Sequence, residues 1–178
     1  MTDWLTPLTT LAETLARDAR PEAAFASVEN ALQTLLGHRL FTVLLCRPGD
    51  EVERIYSSNP AAYPLGGRKA FAATPWGELV LRRRQPFLGP DRAALRWAYA
   101  DHALIESLGL GSAMNVCVEH GGELLAVLAL LHEEGYFHDP SQVAAVRAVT
   151  PILIPGLRTL REQAPSRQAR PSGVAADR

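Results

Sequence analysis

Residues 112–133, SAMNVCVEHGGELLAVLALLHE, decide the fold. They divide into two strand-like segments that turn back on each other through His120, Gly121 and Gly122. The second segment is an almost unbroken apolar run over residues 124–131, which suits a strand whose sheet is covered on both faces. In the first, Asn115 and Cys117 are two residues apart and share one side, opposite Met114 and Val116. One of these sides is expected to meet a cavity. A polar Asn on a central strand is costly unless paired, so a ligand or a loop carbonyl is expected to meet it.

On either side of this pair the pattern becomes helical. Residues 101–109 (DHALIESLG) read as a short helix. Asp139 caps a closing helix that opens at Pro140 and keeps Val143, Val146, Val149 and Ile152 on or near one face, with Pro151 and Pro155 set to kink or break it. The N-terminal segment spaces Leu5, Leu8, Leu11, Ala12 and Leu15 helically, and Pro21 opens a second helix carrying Phe25, Val28, Leu32, Leu35 and Leu36 up to a Gly37 stop. Residues 40–46 and 52–57 then form a hairpin around Arg47-Pro48-Gly49-Asp50. Residues 59–73 (NPAAYPLGGRKAFAA), with two Pro and two Gly, read as a long irregular excursion of the kind that is usually functional. Thr74 and Pro75 start a helix reaching Arg84, a short strand follows at residues 86–88, and residues 91–99 are helix-like. The expected organisation is an N-terminal helix over residues 1–18, one domain over 19–162, and a disordered tail over 163–178 that lacks apolar periodicity.

Composition narrows the function. At 178 residues, 47% apolar and 21% charged, the chain has ordinary globular make-up. A net charge of −1 offers no field for nucleic acid or a membrane surface, so neither is expected as a partner. Cys46 and Cys117 both lie in strand-like segments without CxxC spacing and read as reduced thiols, which fits a cytoplasmic protein, as does the lack of a signal-peptide pattern. The five His form no metal-binding spacing, so no metal site is assigned, and no sequence feature names a cofactor. A Gly-rich phosphate loop, a Gly-x-Ser-x-Gly elbow and a paired-carboxylate motif are all missing from the sequence.

The order of elements resembles that of the GAF domain family across residues 21–160. The wording of PWGELVLRRRQPFLG (residues 75–89) and of SLGLGSAMNVCVEHGGELLAVLALLHEEGYFHDPSQVAAVRAVTPILIPGL (residues 107–157) carries the likeness. The resemblance implies an α+β fold: a five- or six-stranded antiparallel sheet with helices packed on one face and a ligand pocket on the other. It also implies a small-molecule-binding sensor or regulatory module acting through a helix-mediated homodimer. Free methionine sulfoxide reductases are similar in size and fold, but they use cysteines where this chain has none, in residues 59–85 and 101–112. Without a thiolate nucleophile and a resolving partner that chemistry is excluded.

Candidate ligand contacts follow from the segments such a fold gathers round its pocket: Tyr56, Ser58 and Asn59 at the end of the first hairpin, Tyr63 and Arg68 in the excursion, Arg96, Trp97 and His102 near the short helix, and Asn115 and Cys117 on the long hairpin. Arg beside Tyr and Ser donors can hold a carboxylate or phosphate. The bland alternative for the loop residues is a solvated connection, for Cys117 a buried structural thiol, and for Asp101 a plain helix cap. A second functional class stays open, a small enzyme performing acid–base chemistry on an anionic or aromatic metabolite. It would use His102 as acid or base, Asp101 or Glu106 to orient it, and an Arg to fix the substrate. Convergence of these groups inside a cavity would favour the enzyme.

Overall fold

Gly121 and Gly122 adopt φ of 59° and 81°, the left-handed pair that a tight turn between right-twisted strands requires. The strands they join pair from Ser112↔His132 to His120↔Glu123. The computed structural model describes residues 4–70 and 74–163. The tail expected to be disordered lies outside the described residues, apart from its first residue. In chain order the elements are α1 (Leu5–Arg17), α2 (Pro21–Leu35), β1 (Leu40–Arg47), β2 (Glu51–Ser57), β3 (Arg68–Ala70), a π-helical turn (Gly77–Arg82), β4 (Phe87–Gly89), α3 (Arg92–Ala98), α4 (His102–Ser107), β5 (Ser112–His120), β6 (Glu123–His132), α5 (Pro140–Val149), a 3-10 turn (Thr150–Leu153) and α6 (Ile154–Glu162).

Six strands form one antiparallel sheet in the order β3-β2-β1-β6-β5-β4. The apolar β6 lies at its centre, buried from Leu124 to Leu131. Phe41, Val43, Leu45, Met114, Val116, Leu128 and Leu130 point to the layer made by α1, α2, α5 and α6. Their alternates Leu40, Val52, Ala113, Val127, Ala129 and Leu131 point to a second core under α3, α4 and the π-helical turn. The fold is thus α+β, with the long helices on one face and shorter elements on the other.

Local chemistry accounts for most boundaries. Gly37 turns back at φ 77° after α2. Asp91 Oδ1 accepts from the Ala94 N–H to start α3, and Asp139 forms a capping box with Gln142 to start α5. Pro151 and Pro155 divide the closing helix into α5, the 3-10 turn and α6. By length and composition alone, Pro140–Glu162 is apolar enough to cross a membrane. Here Val143, Val146, Val149, Leu153 and Leu157 pack against the sheet instead.

Two elements differ from expectation. The helix expected after Thr74 is capped by the Thr74 Oγ1, which accepts from the Gly77 N–H, but it widens into a π-helical turn in which the Arg83 N–H reaches the Glu78 carbonyl. Within the excursion, Arg68–Ala70 pairs with β2 as a short edge strand. Three residues following two glycines carry too little alternation to announce a strand.

The terminal helices also differ in what covers them. Their leucines and isoleucines exceed what a small sheet usually buries, which argued for a homodimer. Leu11, Leu153 and Leu157 are buried, however, and Leu8, Leu15, Ile152, Ile154 and Leu160 pack against the same core. Only Leu5 among these is largely exposed, at 76%. The chain's own core thus takes up part of this surface, fully at Leu11, Leu153 and Leu157 and partly at the others.

Replacing Leu11 by Ala should lower the unfolding free energy by about 2–5 kcal/mol. Leu5→Ala should change it by no more than about 0.5 kcal/mol. Urea denaturation of both variants at equal protein concentration checks this, and a comparable loss for Leu5→Ala would mean that the outer face of α1 is covered by another molecule.

Candidate ligand pocket

The face of the sheet opposite the long helices opens into a cavity of about 250 Å³. Its floor is Leu40, Thr42 and Leu44 of β1, Val52 and Arg54 of β2, Asn115 of β5, and Ala129 and Leu131 of β6. Tyr63, Trp76, Tyr99, Asp101 and Ile105 wall it from the loops and short helices. The lining is mainly apolar with a few convergent polar groups, as small-molecule sites usually are.

A β-bulge decides which residues of β2 reach this cavity. Val43 pairs with Tyr56, but the next residue, Leu44, pairs with Arg54, so Ile55 is the extra residue. Directly paired residues share a face. Tyr56 therefore joins Val43 on the helix side, where it packs against Phe25 and Phe41 and donates to the Glu29 carboxylate. Arg54 joins Leu44 on the cavity side. Strict alternation would have left Tyr56 and Arg54 on one face.

Asn115 is fully buried and is fixed by two donors. Its Oδ1 accepts from Trp76 Nε1 at 2.8 Å and from the Tyr99 hydroxyl at 2.5 Å. The indole can only donate, so the amide oxygen must face it and the NH2 group must face away. That Nδ2 has no hydrogen-bond partner. Trp76 is held at the head of the π-helical turn and Tyr99 at the end of α3, so two roof elements are anchored to one sheet residue.

A second polar group gathers around Arg54. Its guanidinium lies 4.8 Å over the Tyr63 ring, and one terminal nitrogen donates to the Pro64 carbonyl at 3.3 Å. Its Nε has no partner. Burial lowers the Arg54 pKa, offset by the nearby Tyr63 and Asp101. The Tyr63 hydroxyl is also buried and makes no hydrogen bond of ordinary geometry, although Asp101 is close enough to help burial raise its pKa. Asp101 precedes α4 but its side chain caps nothing, so the plain-cap reading fails and its carboxylate borders the cavity.

The residues singled out in the sequence divide accordingly. Tyr63, Arg68, Asp101 and Asn115 line the cavity. Arg68 does so only at the edge, because it pairs with Glu53 in the sheet and its guanidinium bonds that carboxylate at 3.2 Å. Tyr56 is on the wrong face. Ser58 continues the sheet by pairing with Phe41, and Asn59 builds the turn that carries Tyr63 through its bonds to the Ala62 and Tyr63 N–H groups. Trp97 stacks on Phe87 at the surface. Cys117 faces the cavity side but donates to the Val80 carbonyl beyond the lining, and burial pushes its thiol and that of Cys46 up to about 12. Arg96 and Glu106 form a bidentate pair at 3.0 and 3.2 Å, with His102 3.9 Å from Glu106, but none of the three lines the cavity. Of the acid–base constellation only Asp101 lines the cavity, while His102, Glu106 and Arg96 assemble outside it, because α4 turns His102 and Glu106 away from the side that presents Ile105. Arg54, Trp76 and Tyr99 were missed. Arg54 had a signal, since it shares the phase of Val52 along β2. Among the described residues no group of three or more His, Cys, Asp or Glu gathers as a metal site would require.

Burial raises the pKa of Tyr56, Tyr63 and Tyr99 above the ordinary 10.0. The fold favours their neutral forms, so this contribution to stability is complete below pH 10 and is lost as pH climbs above it. Absorbance at 295 nm should register three tyrosines that ionise well above 10 in the native protein and normally in urea. Asn115→Ala, which leaves the Trp76 and Tyr99 donors buried, should cost about 1–3 kcal/mol for each orphaned donor, read by urea denaturation.

No family sequence profile matches the chain, and no curated protein sequence matches it. Solved structures do. The GAF domain of a phosphoenolpyruvate-protein phosphotransferase from Coxiella burnetii is similar at a TM-score of 0.70 and 21% identity, over 88% of this chain and 95% of that one. The GAF domain of a two-component sensor histidine kinase from Bacillus halodurans gives 0.64 and 12%, over 76% and 92% of the two chains. Free methionine-R-sulfoxide reductase from Neisseria meningitidis, solved with its substrate, gives 0.67 and 18%, over 90% and 92%. The antiparallel sheet and the long helices packed on one of its faces match these neighbours, and the chain has the GAF fold.

Proposed function

We propose that this chain is a small-molecule-binding module whose cavity recognises a metabolite and whose occupancy acts as a regulatory signal. Three atoms carry this reading. Among the described residues, the buried side-chain nitrogens and oxygens without a hydrogen-bond partner are Arg54 Nε, Tyr63 Oη and Asn115 Nδ2, and all three residues line the same cavity. An orphaned buried polar group costs about 1–3 kcal/mol, so a fold that concentrates three of them in one chamber gains by admitting a molecule that satisfies them. The regulatory part of the reading draws on neighbours such as the sensor histidine kinase GAF domain.

Arg54 supplies a route from cavity to loop. Its backbone N–H donates to the Gly67 carbonyl, its own carbonyl accepts from the Gly66 N–H, and its side chain reaches Pro64. A ligand that draws on the guanidinium competes with the bond to Pro64 and alters the order of the loop bearing Tyr63.

Turnover has less support. His102 and Glu106 lie outside the chamber, and neither cysteine lines it, so the likeness to the Neisseria reductase extends to fold alone.

Native mass spectrometry of the protein purified from its own cells should reveal a retained small molecule. Ala129→Leu, which fills the cavity from its floor, should abolish retention while leaving the protein folded by circular dichroism. Equal retention by this variant would overturn the assignment of the cavity as the binding site.

A further inference from the structure

The orphaned atoms also specify what the cavity takes, given the binding role proposed above. Arg54 Nε and Asn115 Nδ2 are donors that can never accept, and the Tyr63 hydroxyl can do either. The Asp101 carboxylate borders the same cavity, with Tyr63 and Arg54 near enough to feel its charge. The unmet capacity is therefore for acceptors, and at Arg54 for a charged one. Planar, delocalised guanidinium matches a carboxylate better than it matches any neutral oxygen.

Sheet geometry sets how far apart the acceptors must be. Arg54 is on β2 and Asn115 on β5, with β1 and β6 between them. Three strand spacings make about 14 Å between their backbones. They also differ in height, since Asn115 pairs across Ala129 to Thr42 whereas Arg54 pairs with Leu44. The two residues therefore stand at opposite ends of the cavity floor, with Thr42, Leu44, Ala129 and Leu131 between them.

We propose that the cavity binds a small organic acid whose carboxylate meets Arg54 and whose second oxygen acceptor, at the other end of an apolar body, meets Asn115 Nδ2. The apolar body lies over the β1 and β6 floor and against the Tyr63 and Tyr99 rings. Asp101 borders the same cavity, and its negative charge disfavours a second carboxylate beside it, so the Arg54 end takes a single carboxylate.

Isothermal titration of the full chain with matched compounds tests this: benzoate, 4-hydroxybenzoate and glutarate against benzamide, 4-hydroxybenzamide and glutaramide, with benzylamine and tyramine as cationic controls. At least one acid should bind about tenfold or more tighter than its amide, since a charge-assisted bond exceeds a neutral one by that much. 4-Hydroxybenzoate should bind tighter than benzoate, because it adds the far acceptor. Arg54→Gln should weaken the acids on the order of 100-fold, Arg54→Lys should recover part of that loss, and circular dichroism of both variants excludes unfolding as the cause. Amides or amines binding as tightly as acids, or acid affinity unchanged in Arg54→Gln, would overturn the acid assignment while leaving the cavity as a binding site. If no compound of any class binds and native mass spectrometry finds no retained molecule, the binding role itself falls.

Discussion

The structure depends on β6 being buried on both faces. A strand with apolar side chains pointing in both directions must sit at the middle of its sheet and must be covered twice, so the chain has to supply two layers rather than one. Four long helical segments cover one side closely. The other side receives only a π-helical turn, two short helices and an irregular loop, which cannot close over six strands without leaving a hollow. The cavity is thus a consequence of unequal layers, and the polar side chains found in it are those that neither layer satisfies.

Long-range order was legible where chemistry is local and periodic. The Gly pair between β5 and β6, the Asp139 cap of α5, the Pro breaks in the closing helix and the helical spacing of α1 and α2 each have a physical cause contained within a few residues. The edge strand β3 and the π-helical turn were not legible, since each depends on a neighbour: β3 exists because β2 offers it a free edge, and the turn widens where it meets the sheet.

The site was legible in part for the same reason. Asn115 stood out as a polar residue on an apolar strand, and alternation grouped it with Cys117, but which side of β5 meets the cavity is set by the packing of the sheet. Tyr56 was misassigned because one inserted residue, Ile55, reverses the phase of β2, and a bulge leaves no local mark in VERIYS. The phase change takes an aromatic side chain off the chamber wall and leaves there the cationic one that is in phase with Val52. Trp76 and Tyr99 were missed because their contact is across 39 and 16 residues of sequence to one amide oxygen. His102, Glu106 and Arg96 came together as the spacing suggested, but on the outer side of α4, since helical phase tells which residues share a side and not which side meets a cavity.

Arg54 joins two duties that most binding proteins keep on separate residues. Its main chain and one guanidinium nitrogen anchor the loop at Pro64, Gly66 and Gly67, while the residue lines the chamber with its Nε unpartnered. Descendants of this protein are therefore poorly free to retune chemical preference at that position alone, since any exchange that alters selectivity also loosens the loop above it. Divergence toward other effectors is channelled instead to Asp101 and the aliphatic floor, where substitution changes recognition without unfastening the cover.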